Sequence, residues 1–117
     1  MRLYHFTCGH SAEEIKRSRW LRPNPQPQLD GRELVWLTDL ESPSRDQLGL
    51  TSVALACDRM EYRVVAVTDA ERWVDYARHM PTSVRLLARS LNLQATAPMH
   101  WFVSELPVPV LGLERVP

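Results

Sequence analysis

The order of the predicted strands and helices is the feature that most restricts how this chain can fold. Residue patterns predict strands at 2–7, 34–40, 51–57, 62–68 and 101–113, and helices at 11–19, 69–79 and 83–92. A doubly wound parallel sheet would need strands and helices in alternation, and they do not alternate here. The order therefore predicts an α+β fold, with a small split, mostly antiparallel β-sheet and two or three helices.

Local signals place the ends of several of these elements. Ser11 and Glu14 form a capping-box pattern, which predicts that the first helix begins at Ser11. Asp69 is the predicted cap of the second helix. Alternate prolines at 23, 25 and 27 forbid a helix and predict a long loop over 22–33. Two further prolines, at 107 and 109, predict that the last strand lies at a sheet edge or bends.

Length and charge limit the classes of function. With 13.5 kDa, residues 1–117 are expected to form a single domain. Lys plus Arg and Asp plus Glu each number 14, so the net charge is zero and a phosphate-driven grip on duplex nucleic acid is not expected. Because we find no signal sequence and no apolar run of about 18 residues, we expect a cytoplasmic protein with no membrane partner. Two cysteines predict no disulfide scaffold and no disulfide-linked partner.

Two common kinds of site are not predicted. The four glycines are too far apart for a glycine-rich phosphate loop of the dinucleotide-binding or Walker type. His5, Cys8 and His10 have the spacing H-x-x-C-x-H, which could supply part of a zinc site. In a strand, His5 and Cys8 would point to opposite faces, and no paired spacing supplies a fourth ligand. We therefore predict no metal.

The most specific pattern combines three short motifs. A histidine, His5, lies inside the first strand (Y-H-F-T), Trp36 and Thr38 lie in V-W-L-T, and Glu105 lies in V-S-E-L-P. With the segments LYHFT, WLRP, VWLTD and WFVSE, the chain resembles a minimal member of the ADP-ribosyltransferase superfamily over most of its length. It is also similar in shape to the small RNA 2′-phosphotransferases and the rifampin-modifying transferases, which have the same split sheet.

The resemblance implies an NAD-dependent site. In families of this type a first-strand His or Arg, a second-motif aromatic or hydroxyl residue and a third-motif acid act together, which implies catalytic roles for His5, Thr38 and Glu105. The cofactor-binding residues that it implies, with an arginine for the pyrophosphate, are Tyr4, His5, Thr7, Trp36, Arg63 and Trp101. Glu61, just before the strand YRVVAV, competes with Glu105 for the role of the acid.

These residues leave three functions open. The first is an enzyme that transfers ADP-ribose from NAD, as co-substrate, to an unidentified protein, nucleic-acid or small-molecule acceptor. The second is a non-catalytic binding or inhibitor module of the same fold. The third is an RNA 2′-phosphotransferase-like enzyme, which needs several arginines around one phosphate. The enzymatic hypothesis with this set of residues requires that His5, Trp36 and Glu105 line one cleft.

Overall fold

The computed structural model describes residues 1–26, 31–44, 58–82 and 98–116, together with Leu29, Gln47, Arg85, Leu86 and Arg89. The described strands are β1 (Arg2–Thr7), β2 (Trp20–Leu21), β3 (Asn24–Gln26), β4 (Arg32–Thr38), β5 (Tyr62–Val67), β6 (Glu71–Arg72), β7 (Trp101–Ser104), β8 (Val108–Pro109) and β9 (Gly112–Arg115). The helices are α1 (Gly9–Ser18) and α2 (Trp73–Arg78), and a 3-10 turn spans Pro98–His100. Within the described part no helix is long and apolar enough to cross a membrane.

Seven of the described strands form one sheet, in which every pairing is antiparallel. The order is β6-β7-β4-β1-β5-β9, and β3 also pairs with β4. The two remaining described strands, β2 and β8, pair with each other in a separate small sheet. The structure therefore confirms the α+β class and the antiparallel sheet. β1 pairs with β5 along its whole length but with β4 at a single register position, Tyr4 opposite Thr38. The sheet is thus split between β1 and β4.

The two faces of the large sheet pack against different elements. The α1 face contains Leu3, Val35, Leu37, Val64 and Phe102, which form one buried cluster with Ile15 of α1, Leu21 of β2 and Val108 of β8. The opposite face, here called the α2 face, carries two further clusters. One surrounds Trp73 and Tyr76 of α2, the other contains Tyr4, Phe6, Met60 and Val65, and Trp101 packs against both.

Both helices begin at residues other than the predicted ones. Helix α1 begins at Gly9, because the chain turns directly after β1 at Cys8, whose extended backbone precedes the first turn. Ser11 thus lies inside the helix, and the predicted capping box is wrong. The predicted end near Arg19 is confirmed, since Arg19 has a left-handed backbone with φ of 64°. The second helix, α2, begins at Trp73 rather than Asp69, because Glu71–Arg72 pair with β7 as a short strand.

The sequence predicts one continuous loop over 22–33 and one strand over 101–113, and the structure divides each of them into shorter elements. The proline-containing loop includes β3, which pairs with the first half of β4, so part of it is a hairpin. The predicted strand 101–113 becomes β7, β8 and β9, which pair with different partners. The predicted strand 51–57 and Cys57 lie outside the described residues. So does most of the predicted helix 83–92, although Arg85, Leu86 and Arg89 have helical backbone.

Candidate functional site

His5 lies where β1 and β4 separate. Its Nδ1 is 2.7 Å from the backbone carbonyl oxygen of Trp36, at a level where the two strands no longer pair. A carbonyl oxygen only accepts hydrogen bonds, so Nδ1 carries the hydrogen and donates it. In the neutral ring Nε2 is then an acceptor. The split therefore holds the imidazole in one tautomer and one orientation.

The environment of His5 favours its neutral form. Burial lowers the pKa of His5 below its ordinary value, and the hydrogen bond to the Trp36 carbonyl opposes this effect in part. Every buried side-chain nitrogen or oxygen of the described residues has a hydrogen-bond partner, and the bond of His5 is made by Nδ1. Because Nε2 makes no such bond, it is not fully enclosed, and its lone pair is able to accept a hydrogen bond.

A lowered pKa at His5 predicts a specific pH dependence of stability. As the pH falls below 6.5, His5 binds a proton in the unfolded chain before it does so in the folded protein, so the folded state loses stability. This one residue is expected to contribute up to about 1.4 kcal/mol per pH unit to that loss. Urea unfolding at about pH 7.5 and about pH 5.5 should show a smaller pH dependence for His5→Gln than for the unsubstituted protein.

The matched control for this experiment is the exposed His10. His10→Gln makes the same change at an exposed position, and the comparison tests whether the effect of His5→Gln is specific to the buried histidine. Equal pH dependence in His5→Gln and His10→Gln would contradict a desolvated, neutral His5.

The side chains of Thr7 and Tyr62 lie at the carboxyl end of β1, where Glu61 is also found. Thr7, which is buried, has the same strand parity as His5 and pairs with Tyr62 of β5, so both side chains belong to the α1 face. The ring of Tyr62 comes close to the start of α1: a Cβ at Gly9 would lie 3.4 Å from its Cε2. A side chain at position 9 would therefore be in van der Waals contact with this ring.

Glu61 contacts the same first turn of α1. Its Oε2 accepts a hydrogen bond from the backbone N–H of Gly9 at 3.4 Å, and its Oε1 lies 3.7 Å from the guanidinium of Arg115. The carboxylate is thus held by the positive end of a helix and by a cation, while its side chain stays 34% exposed. We call the group formed by His5, Thr7, Glu61 and Tyr62 the β1-end cluster.

The second-motif residues lie on the other side of the sheet. The indole of Trp36 packs on the α2 face, with ring centroids 4.9 Å from both Trp73 and Trp101. Its backbone carbonyl, rather than its ring, is what His5 contacts. Thr38 is buried on the same face as Trp36, and its Oγ1 accepts a hydrogen bond from the backbone N–H of Leu40 at 3.1 Å. The structure thus does not bring Trp36, Thr38 and Trp101 together with the imidazole of His5.

Tyr4 and Arg63 form a separate polar group on the α2 face. The hydroxyl of Tyr4 accepts a hydrogen bond from Arg2 Nε at 3.1 Å, and the guanidinium of Arg63 lies 5.8 Å from its ring centroid. Arg63 also donates to Glu114 at 2.8 Å and to the carbonyl of Glu41 at 2.7 Å. Glu114 raises the pKa of Arg63, and Arg63 in turn lowers the pKa of Glu114. Arg63 therefore already has anionic and carbonyl partners within the fold.

Glu105 lies just beyond β7 and is exposed. It is next to the hydroxyl of Tyr76, which also receives a hydrogen bond from Arg32 Nη1 at 3.4 Å. Burial, and to a smaller extent the contact with Glu105, raise the pKa of Tyr76. Because Tyr76 belongs to the cluster around Trp73, Glu105 is placed at the α2 face and not beside His5. The carboxylate that the structure does place at the end of β1 is Glu61.

Tyr62 is a site residue that the sequence motifs do not include, and the contact between His100 and Asp39 is likewise absent from them. His100 Nδ1 lies 2.8 Å from Asp39 Oδ1, on side chains that are both partly exposed. The two residues are 61 positions apart, and no spacing rule joins them. For Tyr62 a signal existed, since it directly follows the acid Glu61 and precedes an apolar strand.

No group of three or more His, Cys, Asp or Glu side chains in the described residues could hold a metal ion. The candidate site consists of an oriented imidazole, a hydroxyl, an aromatic ring and a carboxylate toward the carboxyl end of β1. Comparisons of the chain with models of protein families, with curated proteins and with solved structures found no match.

Proposed function

We propose that this protein is an NAD-dependent enzyme of the ADP-ribosyltransferase type, with the β1-end cluster as its site. The observation that carries the proposal is the anchoring of His5: one ring nitrogen is fixed on the Trp36 carbonyl and the other is presented as an acceptor. A neutral, oriented imidazole can hold a ribose hydroxyl without adding positive charge to a ribose that becomes cationic during the reaction.

The residues of the cluster match the demands of this chemistry. NAD supplies an ADP-ribosyl group on a nicotinamide leaving group, and breaking the bond between them places positive charge on the ribose. The Glu61 carboxylate stabilises that charge and accepts a hydrogen bond from a ribose hydroxyl. The ring of Tyr62 offers a flat apolar surface for a stacked base. Arg115, which lies beside Glu61 and is mostly exposed, is available to a phosphate.

Two measurements test the proposal directly. NAD added up to about millimolar concentrations should bind, since enzymes commonly have KM values within that range. Incubation with NAD should also release nicotinamide, with water as the acceptor when no other is present. His5→Ala should lose binding and release, whereas His10→Ala should keep both, because His10 is exposed and outside the cluster. The absence of both binding and release would contradict the proposal.

The position of Glu105 favours a second candidate function, a non-catalytic binding module of the same fold. If Glu105 is the acid that the chemistry needs, the structure separates it from His5, and NAD would be bound but not cleaved. Binding of NAD without nicotinamide release would therefore support the module and exclude the enzyme.

A further inference from the structure

A second surface of the protein combines positive charge with an apolar floor. A cleft of about 330 Å³ lies between α2 and the residues that follow it. Its floor is formed by Val74, Ala77 and Leu86, and three arginines line it: Arg78, Arg85 and Arg89. We call it the arginine cleft. Its residues belong neither to the β1-end cluster nor to the motifs of the sequence analysis, so it needs its own explanation.

Within the part of the chain that the structure describes, the arginines of this cleft have few or weak partners. Arg78 pairs with Asp75 at 3.3 Å on an exposed turn of α2, where such a pair contributes little. Arg85 donates to the hydroxyl of Thr82 at 3.0 Å, which supplies no negative charge. Arg89 has no hydrogen bond or ion pair with any part of the chain that the structure describes. Among the described residues that line the cleft none is acidic and three are arginines, so this part of a protein of zero net charge is locally basic.

The apolar part of the cleft includes an exposed leucine. Leu86 is 58% exposed and lines the cleft together with the three arginines, a combination of apolar and arginine side chains that also occurs in protein interfaces. The described lining residues include no aromatic side chain, so they offer no stacking surface for the bases of a single-stranded nucleic acid. The floor fits an aliphatic side chain better than a base.

We propose that the arginine cleft binds an acidic peptide segment of a partner protein. In this arrangement an apolar side chain of the peptide covers Leu86, and its carboxylates pair with Arg85 and Arg89. The two arginines are four residues apart in the sequence, each has helical backbone, and both line the cleft. Their planar guanidinium groups match carboxylates in a two-bond geometry that lysines would not offer. The proposal does not depend on NAD chemistry.

Fluorescence anisotropy with a labelled peptide tests this proposal. The probe carries glutamates on both sides of a leucine, and its matched control has glutamine in place of each glutamate. We expect the acidic peptide to bind, the neutral peptide to bind much more weakly, and added salt to weaken the binding. Equal binding of the two peptides, or no binding of either, would overturn the proposal. So would tighter binding of a labelled oligothymidylate, because that would assign the cleft to nucleic acid.

Variants locate the binding on the molecule. The double substitution Arg85→Glu with Arg89→Glu should weaken binding of the acidic peptide about tenfold or more, because like charges then face each other. The control is Arg17→Glu with Arg59→Glu, which reverses the charge of two exposed arginines elsewhere and should leave the affinity nearly unchanged. Leu86→Ala should also reduce affinity, since it removes part of the apolar floor. Equal losses in the two double variants would show a nonspecific charge effect and overturn the proposal.

Discussion

Replacing Trp73 with alanine is expected to lower the free energy of unfolding by about 3–5 kcal/mol, which is the range for large aromatic side chains in a core. Trp73 is completely buried and is the largest of the fully buried side chains in the described residues. Its ring lies 4.9 Å from that of Trp36 and 6.2 Å from that of Tyr76, measured between centroids. A loss of this size would remove much of the stability of a small domain, which is about 5–15 kcal/mol in total.

The control for this experiment is another tryptophan. Trp20 is 44% exposed, so Trp20→Ala should cost less than about 1 kcal/mol. Urea unfolding followed by circular dichroism measures both variants without depending on the fluorescence of the residue removed. If the two substitutions cost the same, the cluster around Trp73 is not the centre of packing on the α2 face.

Strands whose residues form an alternating or continuous apolar pattern could be predicted from the sequence. β1 and β5 have nearly the predicted ends, because both are central strands whose apolar residues leave few alternatives. The first helix could be recognised but its start could not. The capping residues Ser11 and Glu14 gave a good local signal, yet the turn at Cys8 after β1 already directs the backbone into the helix at Gly9. Tertiary connection outweighed the local preference.

The carboxyl-terminal segment shows a different limit to what can be predicted from the sequence. Pro107 and Pro109 correctly indicated that a strand over 101–113 could not be continuous. Its three pieces pair with β4 and β6, with β2, and with β5, which are distant in sequence. A local sequence pattern does not indicate which distant strands will pair with each other. The prolines thus predicted that the strand is interrupted, but Pro109 itself lies in β8, and nothing predicted that this central piece would join a second sheet.

The candidate site was predictable at His5 and less so at its neighbours. A polar residue inside an apolar strand stands out in the sequence, whereas the Trp36 carbonyl that anchors it has no sequence signal. The face on which Trp36 lies depends on the register that puts Tyr4 opposite Thr38, and a shift of one residue would reverse it. The same uncertainty applied to the acid: Glu61 and Glu105 each sit beside a strand end, and only the fold places Glu61 near the end of β1.

The substitution that distinguishes Glu61 from Glu105 as the acid is expected to have the largest effect on activity. If Glu61 is the acid of the proposed reaction, Glu61→Gln should reduce the rate of nicotinamide release about 10²–10³-fold, the usual loss when one stabilising group is removed from a transition state. Glutamine keeps the size of the side chain and an oxygen that can accept from the Gly9 N–H. The substitution therefore removes the negative charge near the ribose while the start of α1 keeps its contact.

Glu105→Gln is the matched control, because it makes the same chemical change at the α2 face. Its rate of nicotinamide release should stay close to that of the unsubstituted protein, since Glu105 contacts Tyr76 and not the β1-end cluster. Rates should be compared at saturating NAD, so that a weaker affinity is not mistaken for a slower step. If Glu105→Gln loses activity and Glu61→Gln keeps it, the acid is Glu105 and the ligand must reach across the sheet. That result would reject the β1-end cluster as the catalytic site.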